Sequence, residues 1–138
     1  MGETIRQVEH YSAAIANKVG EGARVLGALR DAGVNFIALW GYARVGGKAT
    51  LEFIPESGAA LEAAAKAAKI KLSKKQIAFY VHGDDRPGAV GDLCAKLAAS
   101  KVNLGAIQAV CGGAGSYGAV IFLPQAAVKK AAKALGVA

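Results

Sequence analysis

The chain repeats itself, and that repeat limits its fold more than any single motif does. Asn17-Lys18-Val19-Gly20 followed by Val34-Asn35-Phe36 returns as Asp85-Arg86-Pro87-Gly88 followed by Val102-Asn103-Leu104. Gly20 and Gly88 stand 68 positions apart, and so do Asn35 and Asn103. Gly22, Val25, Leu26 and Leu29 answer Val90, Leu93, Cys94 and Leu97 at the same offset. Further on, Leu61, Ala64, Ala65 and Ala68 answer Val128, Ala131, Ala132 and Leu135 at an offset of 67. A constant offset over nearly the whole chain marks a tandem duplication, with copies too long and too few for a solenoid. The single lost residue is expected around the hairpin, where length changes cost little. The expected domains are residues 1–70 and 71–138.

Each half reads strand, helix, strand, strand, helix. Ile77, Phe79 and Val81 alternate with polar or small residues, as in a half-buried strand. Val90, Leu93, Cys94 and Leu97 follow helical i, i+3, i+4, i+7 spacing. Strands are expected over 102–110 and 118–123, around the Gly-rich stretch 111–116, with a helix over 125–135. The first half repeats this as strands over 36–42 and 49–54 around Val45-Gly46-Gly47-Lys48, the second ending at Pro55. The order is that of an α+β protein of two tandem ferredoxin-like (βαββαβ) units, antiparallel sheets with helices packed on one face. In this count the second half lacks a fourth strand, while Thr4–Glu9 is an extra strand ahead of Tyr11–Ala16. The N-terminal strand is therefore expected to complete the second sheet, while 70–74 closes the first.

Composition narrows the class. Of the 138 residues, 54% are hydrophobic, enough to build a core. The apolar runs are broken by Gly, Lys or Arg well short of a membrane span, so no membrane partner is expected. The stretch Met1-Gly2-Glu3-Thr4-Ile5-Arg6 carries an acid and no apolar signal region, which points to a cytoplasmic protein. The net charge of +7 raises nucleic-acid binding. The lysines argue against it: Lys66, Lys69, Lys71, Lys74 and Lys75 trail one helix, and Lys129, Lys130 and Lys133 lie on another. Helix C-termini favour such cations, and few aromatics are interleaved, so no base-stacking platform is visible.

The turn Asp85-Arg86-Pro87-Gly88 carries the sharpest chemistry. Pro87 presets φ, Gly88 lets the backbone pass close to another group, and the helix behind offers unpaired N–H groups that attract a carboxylate. As structure alone, Asp85 caps the helix and Gly88 gives tight packing. The turn and its duplicate resemble the ACT family, small regulatory domains that often bind amino acids, and the resemblance covers essentially the full chain. It implies a ligand at an interface between two ACT domains, held by this turn and by the start of the second strand. Carried over by position, that gives Asn17, Lys18, Val19, Gly20 and Asn35 in one site and Asp85, Arg86, Pro87, Gly88 and Asn103 in the other. Val19 departs from the Pro common in the family, and Asp85 from its Asn; a carboxylate there pairs with an ammonium and repels a carboxylate. Asn35 and Asn103 also fit a turn that opens a strand. The resemblance implies an amino-acid-binding regulatory protein, a homodimer, or alternatively a ligand-free subunit that binds a biosynthetic enzyme.

The remaining features point to plain structure. The Gly112–Gly118 segment lacks a P-loop's Gly-Lys-Ser/Thr ending and lies between strands, as a hairpin does. His10 and His82 have no companions at metal-ligand spacing, nor do Cys94 and Cys111, so no metal or cofactor is expected. Cys94 reads as a buried thiol on an apolar helix face. Trp40 and Tyr42, with Phe36 on the same parity, read as core or interface. No catalytic set is present, and an enzyme is not expected.

Overall fold

The duplication reappears in the backbone hydrogen bonds of the two turns and in the strand registers. The computed structural model describes residues 3–137; residues 1, 2 and 138, the outer limits of the expected domains, lie outside it. In the first copy Asn17 N–H donates to the Gly47 carbonyl, and in the second Asp85 N–H donates to Gly115. Val34 N–H to Leu29 is matched by Val102 N–H to Leu97. The strands β1 (Thr4–Ala16) and β3 (Lys48–Pro55) pair Tyr11 with Phe53 and Ile15 with Ala49. Strands β4 (Gln76–Asp84) and β6 (Ser116–Phe122) pair Phe79 with Ile121 and Gly83 with Tyr117, at an offset of 68 throughout.

That register corrects the expected place of the lost residue. Ala38 pairs with Ile54 in the first copy and Ala106 with Phe122 in the second, so the offset survives both hairpins. The shift to 67 falls after β6, as the Ile70 N–H bond to Ala65 and its counterpart from Val137 to Ala132 show. Helix α2 (Gly58–Ala67) starts directly on Ser57, whose hydroxyl accepts the Ala60 N–H at 3.1 Å. Its counterpart enters through a 3-10 turn at Gln125–Ala127 before α4 (Val128–Leu135), so the single helix expected over 125–135 is divided.

The chain divides into two units, with breaks between Val8 and Glu9 and between Gln76 and Ile77. In the unit of Glu9–Gln76 the strand order is β2-β3-β1, with β2 at Phe36–Arg44. Its core joins Tyr11 and Phe53 to Val25 and Leu29 of α1 (Glu21–Asp31) and Leu61 of α2. These are the positions that helical spacing marks as apolar. In the other unit the order is β1-β4-β6-β5, with β5 at Ala106–Gly113. Here Phe79, Val81 and Ile121 pack on Leu93 and Leu97 of α3 (Ala89–Ala99) and Leu135 of α4. Each ladder within β1–β3, β2–β3, β4–β6 and β5–β6 is antiparallel. Among the described residues, six strands and four α-helices make an α+β protein.

Several expected boundaries move. Thr4–Glu9 and Tyr11–Ala16 form one continuous strand, whose first residues, through Val8, belong with β4. Residues 70–74 make no ladder; Ser73 N–H donates to the Ser12 carbonyl and its Oγ accepts from Ser12 N–H. β5 begins at Ala106, not Val102, because Lys101 turns left-handed (φ 59°) to close α3. A register shift between Phe36 and Ala38 reverses the expected parity: Phe36 stacks on Phe53 in the core, away from Trp40 and Tyr42. Cys94 is half-buried rather than buried.

Candidate functional site

Both turns place a left-handed glycine at the helix start. Gly20 (φ 89°) and Gly88 (φ 81°) are the N-caps of α1 and α3, neither of which has a side-chain cap bond. Asp85 therefore does not cap α3. A Cβ built on either glycine meets no atom of the chain within 4 Å, so within the chain the glycines serve backbone conformation, not tight packing.

In the second copy the turn borders a shallow cavity of about 270 Å³. Asp85, Arg86 and Gly88 form one rim, Val110 and Cys111 of β5 the other, with Tyr117 also in its lining. The Cys111 thiol donates to Asp85 Oδ2 at 3.2 Å, and Arg86 Nη2 donates to Asp92 Oδ2 at 2.7 Å. The Arg86 charge is thus engaged beside the turn, and Asp85 keeps acceptor capacity for an ammonium. Ala89 N–H donates to the Arg86 carbonyl at 3.3 Å, and the N–H groups that a helix start leaves without intrahelical partners suit an anion. The Tyr117 hydroxyl donates to Glu3; burial, then that bond, pushes its pKa up to about 12. It stays a neutral phenol at any physiological pH.

The expected site residues separate into groups. Asp85, Arg86 and Gly88 share the cavity, with Pro87 exposed in the same turn. Asn103 lines another cavity of about 220 Å³ with Lys101, Pro124 and Lys130. Ala106 and Cys111 bound five strand steps, roughly 16 Å at the usual rise, so Asn103 and Asp85 of one unit lie too far apart for one small ligand. Asn17, Lys18, Val19 and Gly20 are exposed, and Asn17 bonds the hairpin end of the sheet. Asn35 sits at the other end of β2, its carbonyl accepting from Glu56 N–H.

The sequence also hides a polar cluster. Glu52, only 9% exposed, accepts from Ser12 Oγ at 2.6 Å and the Tyr42 hydroxyl at 2.7 Å, and lies 2.7 Å from His10 Nε2. Burial pushes its pKa up, and the bonds to His10, Ser12 and Tyr42 pull it further down, to a net value below the ordinary carboxylate. His10 also stacks on Trp40, ring centroids 6.1 Å apart. The one available signal was the charge of Glu52 inside the apolar run Leu51–Ile54. Among the described residues, no group of His, Cys, Asp and Glu is arranged to hold a metal.

No family model and no curated protein matches the sequence. Solved structures do match. The protein BT0572 from Bacteroides thetaiotaomicron has a TM-score of 0.83 at 17% identity, over 96% of this chain and 88% of that one. The ligand-free regulatory subunit of aspartate kinase from Thermus thermophilus has a TM-score of 0.65 at 17% identity, over 99% and 95%. That from Thermus flavus has 0.59 at 14%, over 99% and 95%. The chain shares its fold with these structures. These neighbours named for aspartate kinase are regulatory subunits, not catalytic ones. The likeness concerns the fold, and the chemistry rests on the residues above. No helix among the described residues is long and apolar enough to cross a membrane.

Proposed function

We propose that the chain is a cytoplasmic regulatory protein that binds a small amine, an amino acid or a close relative, at the Asp85-Arg86-Pro87-Gly88 turn. Its sequence segments 1–70 and 71–138 each give rise to a ferredoxin-like ACT unit, with the first strand residues, through Val8, lent to the second. The observation that carries this reading is the cavity that joins Asp85, Arg86 and Gly88 to Val110, Cys111 and Tyr117. Asp85 takes the ammonium, the first-turn N–H groups of α3 take the carboxylate, and Val90 and Val110 set the side-chain preference. The strand-start residue Asn103 reaches such a ligand only from a second copy of the chain, in a homodimer; Asn35 plays that part for the Asn17–Gly20 turn. The protein is no enzyme: the ligand is sensed, and its binding biases a partner. A ligand that binds only the folded protein raises the melting temperature. A thermal-shift screen of the common amino acids should give a rise with at least one of them, lost in Asp85→Ala. No rise with any of them ends this reading.

A second reading, a ligand-free subunit that holds an enzyme, is favoured by one observation. Edge strand β5 has no charged residue, and Val110 on it is 73% exposed. Unpaired edges of this kind recruit further strands. Stoichiometric association with one biosynthetic enzyme whose activity the chain alters, unchanged by any amino acid, would support it.

A further inference from the structure

The two copies differ sharply at one corner of the repeat. In the second copy, Tyr117 stands opposite Gly83 in the β4–β6 ladder. Its hydroxyl bonds Glu3, whose side chain lies so close to Gly83 that Cγ would be 2.7 Å from a Cβ there. Tyr117 and Glu3 thus close that corner, and Asp92 of α3 adds a further acid nearby. At the matching ladder position of the first copy Ala49 faces Ile15, and no aromatic ring fills the space. Arg24 replaces Asp92, and Lys48 replaces Ser116. A cavity of about 500 Å³ opens here, within the unit of Glu9–Gln76.

Its walls are of two kinds. Ile15, Val25 and Ile70 give it an apolar side. Lys48 from the hairpin and Lys69 and Lys71 from the segment after α2 give it a cationic one. Glu21 is the one acid in the lining, and both its oxygens are taken by Arg24, at 2.6 and 3.1 Å. Among the described residues no carboxylate forms an ion pair with Lys48, Lys69 or Lys71. Lys69 moreover adopts φ 58°, where its counterpart in the repeat is Gly136 at φ 74°. A lysine thus stands where the backbone favours glycine, and it borders the cleft.

We propose that this cleft binds a phosphate-bearing small molecule with an apolar or aromatic body. Three ammonium groups on separate flexible stems act as point charges around a multiply charged anion, whereas a single carboxylate is better matched by a guanidinium fork. The volume suits a ligand of that size, and the apolar wall takes its body. The site is separate from the Asp85 turn and stands independently of the amine-binding reading.

The test is a thermal-shift and calorimetric titration of the full chain with adenosine monophosphate, inorganic pyrophosphate and adenosine at matched ionic strength. The monophosphate raises the melting temperature, pyrophosphate does so less for want of a body, and adenosine leaves it unchanged. Pyrophosphate equal to or better than the monophosphate assigns the cleft to free phosphate anions and overturns the apolar-body part of the proposal. The Lys69→Gln/Lys71→Gln double variant weakens the monophosphate at least about tenfold, while Lys129→Gln/Lys133→Gln on α4 leaves it as it was. Ala49→Tyr, which restores the ring of the second copy, blocks binding; if that variant fails to fold, Lys48→Gln gives a partial loss instead. No rise with either anion overturns the proposal, as does an equal loss in the α4 variant, which would assign the effect to the net charge of the chain.

Discussion

Glu52 offers the sharpest test of how the first unit is held together. It is 9% exposed and collects the Ser12 and Tyr42 hydroxyls and the His10 ring. Hydrogen bonds to a charged acceptor are each worth roughly 1.5–3 kcal/mol, but they are not additive here. The Tyr42 side chain is 45% exposed and Ser12 is half-buried, so both can turn to water when the carboxylate is removed. The His10 side chain, 12% exposed, is the one least able to do so. Glu52→Ala should therefore cost about 2–4 kcal/mol, chiefly from a buried polar group losing its partner together with packing loss. Glu52→Gln, which keeps the shape and loses the charge, should cost about 1–2 kcal/mol. The pH dependence has a defined sign. The folded carboxyl titrates below its unfolded value, so its stabilisation is complete above that unfolded value and fades as pH falls through the folded one. The gap between wild type and Glu52→Gln in urea unfolding should thus be full near neutrality and shrink in acid below about pH 4. A Glu52→Gln protein within about 0.5 kcal/mol of wild type at neutral pH, or a gap that does not close in acid, refutes the argument.

Three further outcomes follow from the repeat. Removing residues 1–8 strips Val8, 5% exposed, from the sheet and Ile5 from the core of the second unit, and should cost at least about 3 kcal/mol; an unchanged denaturant midpoint would make that segment dispensable. Lys101→Gly, which places glycine where the first copy has Gly33 (φ 79°), should hold or raise stability by up to about 1 kcal/mol, and Gly33→Lys should lower it; the opposite ordering by calorimetry rejects the backbone argument. Tyr117→Phe should cost about 1 kcal/mol and remove from the absorbance titration the tyrosine that ionises near pH 12, leaving the others in place.

Much of the fold was legible because duplication writes it twice. Val25 with Leu29 and Leu93 with Leu97 are buried just where helical spacing places them. Boundaries carried weaker signals. His10 read as a break between two strands, yet it is a strand residue whose side chain finds Glu52, a partner that lies far along the chain. The step in the repeat lies in a loop, where no periodicity marks it, and the shift at Phe36 reverses parity without changing composition. The candidate site was half legible. The turn is local, so Asp85-Arg86-Pro87-Gly88 and its glycine conformation follow from sequence. Cys111 and Tyr117 join it only through strand pairing, and the distance between Asp85 and Asn103 is set by the length of β5. The cleft beside Lys69 appears only when Ala49 and Tyr117 are compared in register.

The central claim, an amine-binding turn in the second unit, is tested most directly by an amide NMR titration with whichever common amino acid gives the largest thermal shift. The account predicts saturable shifts concentrated at Arg86, Gly88–Gly91, Cys111 and Tyr117, abolished by Asp85→Ala in a protein whose remaining spectrum is unchanged. Shifts confined to other regions, or shifts that survive Asp85→Ala undiminished, would contradict it.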